Sequence, residues 1–390
     1  MSSAAAVGSP LAAARSLAGA IAAAADGIES ARRVPPALAG ELARAGLFRM
    51  LVPRELGGLE VEPLVMVDAI ELVARADGST GWTVAIGATT GLVAAYLPDA
   101  AAHEVFARDP DVVAGGVFHP RGRAELVDGG YRVTGRWPLA SGCQQCGWLV
   151  GGCLLFADGK PRLRDDGLPE PRMMLFPASE ARIVDTWHVS GLRGTGSHDV
   201  EVEGLFVPRE RSVWFSTDAP RRGGPLYAFP VFGLLALGIA AVALGIARGA
   251  IDDLTALATA KVPTGSRRRL AERGATQAEI GRAEATLGAA RAYVRETVRE
   301  VWDAVRGGEP MRLEQRARLR LAATQAVRDA AGVVDAMYDA GGVSSIYASS
   351  TLQRRFRDVH VATQHVLVAP PTFELAGRVL LGLPCDTEML

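Results

Sequence analysis

Gly-Gly-Tyr-Arg-Val-Thr-Gly-Arg-Trp-Pro-Leu-Ala-Ser-Gly (residues 129–142) and Asp-Thr-Trp-His-Val-Ser-Gly-Leu-Arg-Gly-Thr-Gly-Ser-His-Asp-Val-Glu-Val-Glu-Gly-Leu-Phe-Val-Pro (residues 185–208) decide the fold. Both alternate apolar and polar residues between glycine turns, the period of strands. Val200, Val202 and Leu205 to Val207 add β-branched and aromatic side chains to the second stretch. Strand period dominates from Val112 to about Val213, with Asp158 to Pro171 as a charged, proline-containing insert. The flanks read as helix, so a β module sits inside a helical chain.

Upstream, Leu11 to Ala25 is alanine-rich, and alanine is the best helix former. Pro35-Pro36 stops that helix and opens Ala37 to Ala45, with Gly46 as its C-cap. Helices are expected over Glu62 to Ala76, Thr80 to Tyr96 and Asp99 to Ala107, with Ser79 as the N-cap of the second. Downstream, Val231 to Ala260, Thr276 to Arg306, Leu313 to Gly341 and Ser350 to Val368 predict an antiparallel four-helix bundle. The expected domains are residues 1–112 (N-terminal helices), 113–213 (middle β-barrel) and 214–390 (C-terminal bundle).

With 390 residues, 49% of them hydrophobic, the chain can bury a large core. Its net charge of −1 argues against nucleic acid as a partner, since phosphate binding needs a basic field. Arg267 to Arg269 read as a solvated helix start. Four cysteines make no disulfide framework, which fits a reducing cytoplasm, and no signal peptide is read at the N-terminus. No charge interrupts Arg222 to Arg248. Pro225 and Pro230 break the first part of that run, and the Gly/Ala-rich remainder suits a buried bundle helix rather than a membrane span.

Cys143 and Cys146 form one C-x-x-C, without the second ligand pair of a zinc site and without a following helix. They read as small core residues. Gly194-Thr195-Gly196 lacks the third glycine and the helix of a dinucleotide fingerprint, and no phosphate loop or nucleophile elbow is present. Locally it is either a simple glycine hairpin or a turn offering N–H groups and the Thr195 and Ser197 hydroxyls to a flat, polar-edged ligand. His360 and His365, five apart on the expected last helix, point about 140° from one another and do not share a metal. His365 is either a satisfied core histidine or a residue facing a pocket.

Several of these motifs are similar to one family. Asp77-Gly78-Ser79-Thr80-Gly81-Trp82, Gly135 to Gly142, Gly191 to Ser197 and Arg357-Asp358-Val359-His360, in this layout, resemble the acyl-CoA dehydrogenase fold. Within it they resemble the oxygenase components of two-component flavin monooxygenases. Many dehydrogenases of the fold carry a glutamate base where this chain has Ser349, and neither Glu nor Asp occurs from Ala340 through Arg357.

The resemblance implies reduced FMN or FAD delivered by a separate NAD(P)H-dependent reductase, dioxygen, and a C4a-hydroperoxyflavin that hydroxylates an aromatic or polycyclic small molecule. Under it, Ser141 meets flavin N5, and His365 acts as base toward the substrate or donor to the peroxide. Trp82, Trp137, Gly142, Arg193, Thr195 and Ser197 line the isoalloxazine, while Lys261 and Arg268 reach a flavin phosphate. His119 and His360 are implied substrate contacts. No histidine stands between Ala85 and Thr90, where some of the family hold a phenol. A homotetramer is implied. The competing readings are an acyl-CoA dehydrogenase-like flavoprotein and a non-catalytic homologue.

Overall fold

The computed structural model describes residues 9–390. Helix α1 (Pro10–Ala31) starts on a proline whose missing N–H costs nothing at that position. It ends where Arg32 adopts a left-handed φ of 53° and its N–H reaches Glu29 O and Ile28 O. After α2 (Pro36–Arg44) come α3 (Pro63–Ala76), α4 (Gly78–Thr90) and α5 (Asp99–Ala102). The expected cap of α4 is corrected. Asp77, not Ser79, takes the Thr80 N–H at 2.7 Å, because its carboxylate reaches back over the first turn. Helix α4 ends at Thr90 and continues as a tighter 3-10 segment, Gly91–Ala95.

The middle strands are β1 (Ala114–Val127), β2 (Gly130–Ala140), β3 (Trp148–Ala157), β4 (Lys160–Pro161), β5 (Pro171–Pro177), β6 (Arg182–Val184), β7 (His198–Pro208) and β8 (Ser212–Val213). They form one eight-stranded sheet in the order β6-β7-β2-β1-β3-β5-β8, with β4 attached to β3. The sheet curls around a core of its own, which includes Ala124, Val133, Trp137, Cys153, Phe176 and Val200.

Helix α6 (Pro225–Ala228) leads into α7 (Val231–Ala260), followed by α8 (Gly274–Arg306), α9 (Leu313–Gly341), α10 (Thr351–Ala362) and α11 (Pro371–Leu380). The most apolar window of α7 is 83% buried, as a bundle core helix requires. Glycine is needed at Gly245, where a Cβ would come within 2.7 Å of the Ala74 Cβ on α3. The last expected helix is shortened. It stops at Ala362, the chain turns through a short 3-10 segment at Val366–Val368, and α11 follows unforeseen. Pro370 and Pro371 oppose one continuous helix here. His365 therefore lies on a turn rather than on a helix, and the angular relation expected between it and His360 does not hold.

Candidate functional site

Helix α4 is the wall shared by all three parts of the chain. It packs on α3 and α7 and also touches β1 and the Arg193–Thr195 turn. Its Trp82, 7% exposed, donates its indole N–H to Ser141 Oγ at 3.0 Å. On another side the same indole meets the His365 ring edge-on, with centroids 5.6 Å apart. Trp82 thus joins residues some 220 positions apart in sequence, Ser141 from the β module and His365 from beyond the bundle's last long helix.

Ser141 opens a chain of buried hydroxyls. Ser141 Oγ and Ser197 Oγ lie 2.7 Å apart, and Ser197 Oγ and Thr195 Oγ1 also 2.7 Å. Thr195 Oγ1 donates to Leu192 O at 2.8 Å. The backbone places these groups: Leu139 and Gly142 turn through left-handed φ values of 65° and 70°, and Gly142 N–H bonds Thr195 O at 2.8 Å. The turn beside them is pinned from α4 and α10. Gly194 N–H donates to Ser79 Oγ (3.2 Å), and Leu192 N–H to Asp358 Oδ1 (2.5 Å). Burial, then the neighbouring Asp77, pushes the Asp358 carboxyl up to about 7.

His365 accepts the Leu367 N–H on Nδ1 at 3.3 Å. A neutral ring whose Nδ1 accepts carries its proton on Nε2, so Nε2–H is a donor. Burial, then the Arg320 cation, lowers its pKa to about 4. The turn is held from α9. Arg328 donates to Thr363 O (3.2 Å), two residues before His365, and Arg320 to Leu367 O (2.8 Å), two residues after. Arg320, only 3% exposed, also donates to Met389 O and has no carboxylate partner among the described residues. Its burial lowers its own pKa to about 10.

On the Ser141 side, buried Thr83 Oγ1, Gln145 Nε2 and Arg193 Nε have no hydrogen-bond partner, and on the His365 side neither do Arg320 Nε and Arg328 Nε. Thr83 and Gln145 flank Gly142, where a Cβ would stand 3.3 Å from Thr83 Cγ2 and 3.2 Å from Gln145 Nε2. Unspent donors and acceptors beside a side-chain-free backbone fit a flat ligand with polar edges, as an isoalloxazine has.

The expected residues divide accordingly. Trp82, Ser141, Gly142, Arg193, Thr195, Ser197 and His365 come together. Trp137 does not join them. It is 1% exposed inside the sheet's own core, donating to Gly152 O at 2.6 Å. Lys261 Nζ donates to Gly341 O at 3.2 Å, and Arg268 is exposed. Both follow the far end of α7, roughly 20 Å along the helix from Ile246 beside Gly78. His119 is exposed where the β1–β3 register shifts, and His360 Nε2 bonds Asp335 Oδ1 at 2.8 Å. Cys143 is buried and its thiol is pushed up to about 11. All four cysteines are free.

Sequence reasoning missed Thr83, Gln145, Arg320 and Arg328. For the arginines a signal existed. Arg316, Arg320, Thr324 and Arg328 recur every four residues along an alanine-rich helix, where a charged stripe needs buried partners.

The family description "Acyl-CoA dehydrogenase, N-terminal domain" matches residues 11–105, and "Acyl-CoA dehydrogenase, C-terminal domain" matches 237–370. The chain is 36% identical over 338 residues to indole-3-acetate monooxygenase of Pseudomonas putida, covering 86% of this chain and 84% of that one. It is 31% identical over 378 residues to the flavin-dependent monooxygenase oxygenase subunit HsaA of Rhodococcus jostii, covering 93% and 95%. Its fold matches XiaF from Streptomyces sp., in complex with FADH2 and glycerol, with a TM-score of 0.88 and 27% identity over 96% of this chain and 95% of that one.

Proposed function

This chain belongs to the flavin-dependent monooxygenase oxygenase components of the acyl-CoA dehydrogenase superfamily. On that premise we propose that it hydroxylates an aromatic or polycyclic small molecule, using dioxygen and reduced FMN or FAD supplied by a separate reductase. The single observation that carries this reading is the Trp82 junction, which brings Ser141 and His365 to one indole beside three unspent polar groups.

When bound, the reduced flavin supplies the two electrons with which dioxygen is divided between substrate and water. The chain's own residues do the rest. Ser141 would meet the N5 edge of the flavin, and Arg193, Thr83 and Gln145 would offer their free polar atoms to its rim. His365, neutral above about pH 4, presents Nε2–H and acts as a hydrogen-bond donor rather than a cation. Burial of Trp82, Ser197 and Thr195 keeps water from the cluster.

The reading extends to the division at 112/113 and 213/214, to a cytoplasmic location, and to a homotetramer. Exposed Val343, Ile346 and Tyr347 support self-association. Light scattering measures the assembly state directly.

The deciding experiment is an anaerobic titration with reduced FMN and reduced FAD, then an oxygen pulse with indole-type and phenolic substrates and detection of hydroxylated product. The expected result is reduced-flavin binding and oxygen-dependent product. Protein that retains oxidised FAD and passes electrons to it from an acyl thioester is a dehydrogenase, and that result overturns the proposal.

A further inference from the structure

One direction of the protons along the hydroxyl chain makes every one of its contacts a hydrogen bond. A hydroxyl has one proton to give and two lone pairs to receive with. Leu192 O is a carbonyl and can only accept, so the Thr195 proton is spent on it. Thr195 must then accept from Ser197, which spends the Ser197 proton. Ser197 must in turn accept from Ser141, which spends the Ser141 proton. Trp82 Nε1–H can only donate, and it fills one lone pair of Ser141. In that direction Ser141 is left with a single vacancy, an acceptor lone pair, and turning its proton outward would give up the Thr195–Leu192 O bond.

We propose that Thr195 and Ser197, by fixing Ser141 as an acceptor, make the site select reduced over oxidised flavin. N5 of a reduced flavin carries a hydrogen and donates; N5 of an oxidised flavin has only a lone pair. The first completes the Ser141 valence, whereas the second faces it lone pair to lone pair. Buried polar groups left unmatched are costly, so the chain's direction becomes a difference in affinity. Neither Thr195 nor Ser197 needs to touch the ring. They act through Ser141 and are positioning residues for redox state. This inference rests on the flavin reading above and on Ser141 meeting N5.

Thr195→Val keeps the shape and removes the terminal acceptor. Leu192 O stays satisfied, because Trp187 Nε1 (3.1 Å) and Thr195 N (3.1 Å) also donate to it. Ser197 is then free to donate to Ser141, and Ser141 to donate outward. Ser197→Ala releases the Ser141 proton by a second route, and Thr195→Ser preserves the original direction. The readout is the dissociation constant of each flavin redox state, titrated anaerobically for the reduced form, without substrate or turnover.

The wild type and Thr195→Ser are expected to bind reduced flavin more tightly. In Thr195→Val and Ser197→Ala the oxidised form should gain, so that the affinity ratio falls about tenfold, one hydrogen bond's worth. A wild-type ratio in both variants overturns the inference and leaves the proposed function standing. Equal binding of the two redox states by the wild type also overturns it. Binding of neither flavin overturns the function itself and this inference with it.

Discussion

Ser141 and His365 meet the same indole but are held there by unlike means. Ser141 belongs to a local circuit, with partners on two adjoining segments of the β module and on α4. His365 sits on a turn after α10 has ended, and its flanking carbonyls are gripped by Arg328 and Arg320 from α9. One arm is held by a short chain of hydrogen-bonded hydroxyls within glycine-shaped turns. The other depends on two long side chains, one of which, Arg320, also holds Met389 near the end of the described chain. The first arm should therefore fix binding geometry, while the second is where reactivity can be lost with the ligand still in place.

The largest expected effect tests that division. His365→Ala should lower product formed per reduced flavin consumed by at least about a hundredfold, the scale of losing one positioned proton donor. Reduced-flavin affinity should stay within about threefold. An equal loss of affinity and product would merge the two arms into one. The pH dependence sharpens the same point. With its pKa lowered to about 4, His365 is neutral throughout the ordinary working range. Product yield should show no inflection near the usual histidine value of about 6.5 and should decline only as pH falls toward 4, where Nδ1 takes a proton and releases Leu367 N–H. A wild-type yield that halves near pH 6.5, with that inflection absent only from His365→Ala, would assign the histidine a cationic role instead.

The unequal legibility of the two arms follows from the same physics. Strand alternation and glycine turns announce the β module, and the Ser141, Thr195 and Ser197 hydroxyls lie within it, so that arm could be read from local pattern. The long helices were readable because a buried 30-residue stretch such as α7 has no other use for so much uncharged sequence. Trp137 lies apart from Ser141 although their motif is contiguous, because the strand register shifts between Trp137 and Ala140, with Leu139 at a left-handed φ of 65°, and this leaves the indole in the sheet's core. The His365 turn was misread as helix, since apolar periodicity survives across it and the contacts that bend it come from 35 to 47 residues upstream.

A middle-sized effect separates a grip on His365 from general fixation of the neighbouring chain. Arg320→Gln removes the charge-assisted bonds to Leu367 O and Met389 O. Arg316→Gln is the control: Arg316 lies one turn away on α9 and holds Leu390 O (2.9 Å) and Thr387 O (3.3 Å), without touching the His365 turn. Arg320→Gln should raise hydrogen exchange of residues 363–368 in flavin-free protein and cut product yield about tenfold, at a stability cost of about 2 kcal/mol. Arg316→Gln should cost similar stability with yield nearly intact. In a His365→Ala background, Arg320→Gln should add nothing to the loss. A further loss there, or equal yields for the two arginine variants, would mean that Arg320 supports the fold and not the histidine.

The smallest effect on activity, and the cleanest in sign, concerns Asp358, which ties the Ser141 arm to the bundle through Leu192 N–H. Its carboxyl is raised to about 7, by burial first and by Asp77 second, above an unfolded value of about 3.9. The folded protein therefore holds a proton that the unfolded chain has released between about pH 4 and 7. Stability from this group is complete below pH 4 and is lost as pH rises through 7. Glutamine-like amides do not titrate in this range, and asparagine keeps an oxygen for the Leu192 N–H. Asp358→Asn should then flatten the fall of melting temperature across that window while leaving flavin affinity and product yield close to wild type. An undiminished slope would move the proton to Asp77, which is also buried and raised. Loss of flavin affinity in this near-isosteric variant would show that the Leu192 turn needs the carboxylate charge, and that the local arm is less self-sufficient than its hydroxyl chain implies.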